Sequence, residues 1–127
     1  MTRRIHLVVC AAGALVLATV ASGAGAPGVS SSEVLIGGTT PLSGVASAYA
    51  SVARGAEAYF KYVNANGGVF RRKIEYRYAD DAYDPSQTVE LTRELVQQDK
   101  VFAIFNSLGT EHNLATRSYL NALKVPQ

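Results

Sequence analysis

The chain has 127 residues, with twelve Lys and Arg against ten Asp and Glu, a formal charge of +2 and one cysteine. Arg3 and Arg4 account for that excess, so without them ten basic residues face ten acidic ones. This balance gives no basic surface for nucleic acid, and one cysteine cannot form a disulfide within the chain.

The first 24 residues are read apart from the fold. Thr2-Arg3-Arg4 is followed by the apolar or small run Leu7 to Val20, then by Ala21-Ser22-Gly23-Ala24. This is the charged, apolar and small-residue order of a secretory signal peptide, cleaved after Ala24. The apolar run is shorter than the ~20 residues of a membrane-spanning helix. Cys10 falls inside it, after Val8-Val9 rather than a small residue, and serves as an apolar filler. About 100 residues then remain, near the size of one domain. Residues 25–32 are Gly- and Ser-rich and are expected to be a flexible leader.

Val34-Leu35-Ile36-Gly37-Gly38-Thr39 reads as a strand buried on both faces. Thr40-Pro41-Leu42-Ser43-Gly44 is a turn. Ala48, Val52, Gly55, Ala56, Tyr59, Phe60 and Val63 then follow helical spacing, and Asn66-Gly67-Gly68 ends the helix. Lys73 to Asp80 alternates, with Ile74, Tyr76 and Tyr78 on one side, as in a strand near a sheet edge. Asp84 and Pro85 start a second helix that runs to about Gln98, with Gln87 placed to complete a capping box and Val89, Thr92, Leu95 and Val96 inward. Val101 to Asn106 is a third strand. A third helix opens at Thr110 or Glu111, with Ala115, Tyr119, Ala122 and Leu123 inward, and a fourth strand is expected from Val125.

This β-α-β-α-β-α order predicts an α/β fold with a doubly wound, Rossmann-like parallel sheet of strand order 2-1-3. Ligands bind such sheets at the carboxyl ends of strands where the order reverses. Those ends are Thr39 to Gly44 and Asn106 to Thr110. Ser43, Ser107 and Thr110 bring hydroxyls there, Leu108 and Gly109 complete the turn, and Tyr49 lies just past the first turn. Hydroxyls and free backbone N–H groups at a helix start suit a carboxylate. Thr110 reads equally well as an ordinary helix N-cap.

Other chemistry lacks its signature. Gly37-Gly38-Thr39-Thr40-Pro41 has neither dinucleotide-binding nor phosphate-loop spacing, and no nucleophile elbow occurs. His112 is the one histidine after residue 24, has only Glu111 beside it, and reads as a solvent-facing residue rather than a metal ligand. Asp80 and Asp81 read as turn formers. Neither an enzyme activity nor a cofactor or metal is expected.

Leu42-Ser43-Gly44, Arg54-Gly55-Ala56-Glu57-Ala58, Val63 to Val69, Asp80-Asp81-Ala82-Tyr83-Asp84-Pro85 and Leu108-Gly109-Thr110, in that order, resemble the opening of the periplasmic type I solute-binding proteins of ABC transporters. The nearest group is the branched-chain amino-acid (leucine/isoleucine/valine) binding proteins. The resemblance implies a two-lobed protein that closes on a small ligand and passes it to a membrane permease from an exported, periplasmic or extracytoplasmic location. Residues 33–127 would be the N-terminal part of the first lobe, an incomplete one. The ligand would be an amino acid, a related carboxylate or an amide. Thr110 would meet its carboxylate, and Tyr49 would line the pocket. An exported α/β enzyme with catalytic residues beyond Gln127, or a receptor's ligand-sensing domain, would share this fold.

Overall fold

The computed structural model describes residues 25–127. The expectations for residues 1–24, the signal peptide and Cys10 among them, lie outside the described residues. Three strands form one parallel sheet: β1 (Glu33–Thr40), β2 (Lys73–Asp80) and β3 (Ala103–Ile104), in the order β2-β1-β3. The helices are α1 (Ala50–Ala65), α2 (Pro85–Gln97) and α3 (Thr110–Leu123). This is the doubly wound arrangement expected from the alternation of elements.

Register follows from the pleat. Ile36 pairs with Tyr76 on one side and Ala103 on the other, so these three share a sheet face. There Phe60 of α1 packs edge-on against Tyr76 at 5.6 Å, and Phe105 meets both rings. The opposite face carries the main core. Leu35, Leu95, Val101, Ile104 and Leu120 are buried together, with Val96, Tyr119 and Val125 packed against them. Losing a fully buried leucine such as Leu120 to alanine costs about 2–5 kcal/mol. The α1 face is less covered. Val34, Ile36, Ile74, Phe102 and Phe105 line an open apolar hollow of about 390 Å³.

The start of α2 follows its sequence signal in part. Asp84 accepts a hydrogen bond from the Ser86 N–H at 2.8 Å, and Pro85 occupies the first helical position. The box is not closed by Gln87, because the Asp84 N–H donates to the Asp81 carbonyl at 2.8 Å instead. The end of α1 uses its glycines. The Gly68 N–H reaches back to the Val63 carbonyl at 3.0 Å, with Gly67 and Gly68 both left-handed.

Several expectations are corrected. The strand at 101–106 contracts to two residues because Lys100 and Asn106 both have positive φ and bend the chain at either end. Phe102 and Phe105 still donate to the Leu35 and Gly37 carbonyls at its flanks. No strand forms from Val125. Lys124 adopts the left-handed conformation that ends α3, the Val125 N–H returns to Leu120, and only the Pro126 carbonyl meets β3, at the Ile104 N–H. In α3 the inward face is His112, Thr116 and Leu120, one step from the expected face; Ala115, Ala122 and Leu123 are exposed and Tyr119 is half-buried. In α1 the buried residues are Ala50 and Ala53, preceded by a 3-10 turn over Ser47–Tyr49, while Ala48, Val52, Gly55 and Tyr59 are exposed. Part of the expected flexible leader is held. The Leu35 N–H donates to Gly28 at 2.7 Å, Lys73 to Ser32 at 2.8 Å, and Arg72 Nε to Ser30 at 2.8 Å.

Candidate functional site

The carboxyl ends of β1 and β3 lie side by side, and two turns leave them. The first is set by Asp80 at the end of β2. One carboxylate oxygen accepts from the N–H groups of Leu42 at 2.8 Å, Ser43 at 3.1 Å and Ala82 at 2.9 Å. The Ser43 hydroxyl and these N–H groups hold the Asp80 carboxyl below its ordinary range, against a smaller opposing effect of burial. Asp81 is fully buried; it accepts from the Thr88 hydroxyl at 2.8 Å and the Tyr83 N–H at 3.1 Å. Both carboxylates therefore build turns, as their position at a strand end indicated.

The second turn runs from Asn106 to α3. Thr39, buried at the end of β1, donates its hydroxyl to Ser107 Oγ at 3.4 Å and joins the two turns. Asn113 clamps the turn from inside the helix, donating Nδ2 to the Gly109 carbonyl at 2.7 Å and to the Ser107 carbonyl at 3.1 Å. The N-cap of α3 is Gly109, with φ of 108°, and no side chain caps the helix. Thr110 is thus the first helical residue, and the cap expected of it is absent. The N–H groups of Thr110, Glu111 and His112 consequently have no partner within the helix. The helix dipole adds partial positive charge at the same point.

Tyr49, Tyr83, Leu108, Gly109, Thr110 and Asn113 line an open groove of about 410 Å³. Of the residues expected from sequence, Tyr49, Leu108, Gly109 and Thr110 come together here. Ser43 and Ser107 stand outside the lining. The Ser43 N–H donates to Asp80, and the Ser107 hydroxyl oxygen accepts from Thr39. Tyr83 and Asn113 were not anticipated. Asn113 had a signal, lying one helical turn after Gly109. Tyr83 had none beyond its place between Asp81 and Asp84.

His112 is a further correction. It is only 2% exposed, with its ring against Tyr83 at 4.4 Å between centroids. The cause is Gly109: a Cβ there would stand 2.3 Å from His112 Nδ1, so the absent side chain lets the imidazole fold under the turn. Among the described residues, no group of three or more His, Cys, Asp and Glu gathers as a metal site would require. Nor is any described helix long and apolar enough to cross a membrane.

Residues 33–127 match the family model described as periplasmic binding protein. The chain belongs to the periplasmic binding protein family. Its relatives include a Leu/Ile/Val-binding protein homolog of Brucella abortus, 35% identical over 83 residues, covering 63% of this chain and 22% of the relative. Among solved structures, a fatty acid ABC transporter substrate-binding protein from Thermomonospora curvata superposes with a TM-score of 0.70 and 33% identity, covering 78% of this chain and 25% of that one. A branched-chain amino acid transporter substrate-binding protein from Streptococcus pneumoniae, in complex with isoleucine, gives 0.69 and 26%, covering 74% and 27%. The chain thus spans about a quarter of the length of these family members. Its parallel sheet and helices are those of a lobe of the type I periplasmic binding fold.

Proposed function

We propose that the protein is the extracytoplasmic solute-binding component of an ABC importer, and that residues 33–127 belong to its first lobe. The groove at the carboxyl ends of β1 and β3 takes the carboxylate, or the equivalent amide oxygen, of a small ligand. The observation that carries this reading is the uncapped start of α3. No side chain caps that start, and Gly109 and Thr110, its first residues, line the groove together with Tyr49 and Tyr83. Neutral donors at a helix start hold an anion without a buried countercharge. A second lobe closes over the ligand, and a membrane permease receives it.

The relatives named for branched-chain amino acids and for fatty acids have one chemical group in common at the ligand, a carboxylate. The test is a thermal-shift and calorimetric panel on the full-length gene product, with leucine, isoleucine, valine and octanoate. Saturable binding with a raised melting temperature is expected for at least one of them. No shift with any of these carboxylates, nor with acetamide added to the panel, would overturn the reading.

A further inference from the structure

Among the described residues, buried side-chain polar atoms without a hydrogen-bond partner occur at Tyr76, Tyr119 and His112, and of these His112 adjoins the groove. Neither Nδ1 nor Nε2 has a hydrogen-bond partner among the described residues. A neutral imidazole carries one donor and one acceptor. Buried polar groups in native proteins are nearly always paired, and an unpaired one is costly. A phenylalanine would fill the same space without that cost.

Two contacts place the imidazole against residues that line the groove. One face lies against Tyr83, which also lines the groove. Nδ1 lies where a side chain on residue 109 would stand, and Gly109 lines the groove too. Nδ1 therefore packs against a groove-lining residue with no side chain. Tyr83 covers the ring from a turn in which Ala82 and Tyr83 both have left-handed backbones, and it is 39% exposed.

We propose that His112 is a ligand-binding residue of this groove. Its imidazole donates an N–H to an acceptor oxygen of the bound carboxylate or amide, beside the start of α3. Tyr83 packs on the face of the ring, and the in-plane nitrogen reaches the ligand past Gly109, which carries no side chain. The proposal rests on the reading that the groove takes such a ligand, and it adds a polar contact to those of the helix start.

The test compares two variants of the full-length gene product, using leucine, isoleucine, valine and octanoate as probes. His112→Phe keeps a flat ring against Tyr83 and removes both nitrogens. His112→Asn restores a polar atom near the position of Nδ1. Ligand-free His112→Phe is expected to melt at or above the wild-type temperature, while its affinity for the bound probe falls about ten-fold or more. His112→Asn is expected to recover part of that affinity. A purely structural histidine would not separate stability from binding in this way. Unchanged affinity in His112→Phe, or a ligand-free melting temperature well below wild type, would overturn the proposal. Wild-type protein that binds none of the probes would overturn the groove reading along with it, whereas binding that His112→Phe leaves intact removes only the role of His112.

Discussion

The Asp80 carboxylate accepts the Leu42 N–H at 2.8 Å and so ties the end of β2 to the turn that leaves β1. The same oxygen takes the Ser43 and Ala82 N–H groups, which makes Asp80 the anchor of the turns that leave β1 and β2. Its carboxyl is held below the ordinary range chiefly by the Ser43 hydroxyl. A depressed folded-state value contributes stability above the unfolded value of ~3.9, and that stability is lost as pH falls through the lower folded value. Asp80→Asn should therefore be less stable than wild type at neutral pH, with the gap shrinking below pH 4. Urea denaturation of both proteins at pH 7 and pH 3 measures this. A gap that stays constant would contradict the role given to the charge.

Asp84 tests the start of α2 separately. Its side chain caps the helix through the Ser86 N–H, and no Gln87 contact supports it. Asp84→Ala should cost about 1 kcal/mol. Gln87→Ala should cost no more than any exposed helix substitution. A loss at Gln87 equal to that at Asp84 would restore the capping box that the sequence pattern indicated.

Gly109 tests the turn that carries the groove. Its φ of 108° lies where an L side chain is strained, and a Cβ there would overlap His112. Gly109→Ala should lose at least about 1–3 kcal/mol of stability. Chemical denaturation is the check, and wild-type stability would show that the turn tolerates a side chain.

Much of the architecture was legible because its signals were local. The alternation of Ile74, Tyr76 and Tyr78 marked β2, and Asp84-Pro85 marked the start of α2. The misses have a common cause. The buried face of α3 is His112, Thr116 and Leu120, and α2 buries Thr88 and Thr92. A hydrophobic count passes over such polar residues and selects a neighbouring stripe, so His112 reads from sequence as a surface residue. The contraction of β3 depended on the backbone of Lys100 and Asn106, to which an apolar run is blind. At the site, the turn from Ser107 to Thr110 was visible as a cluster of small and hydroxyl residues. Tyr83 reaches the groove from a different turn, and only the fold brings it there.

Thr110 carries the central claim, because the structure removes its competing role. Gly109 is the cap, so the Thr110 hydroxyl is not needed to start α3. Thr110→Val in the full-length gene product keeps the side-chain shape and deletes one donor. Calorimetric titration with whichever of the four probes the wild type binds is the direct measurement. The expected result is a loss of roughly 1.5–3 kcal/mol, about ten- to a hundred-fold in affinity, at an unchanged melting temperature. Wild-type affinity in the folded variant would contradict the claim that the start of α3 holds the ligand's carboxylate.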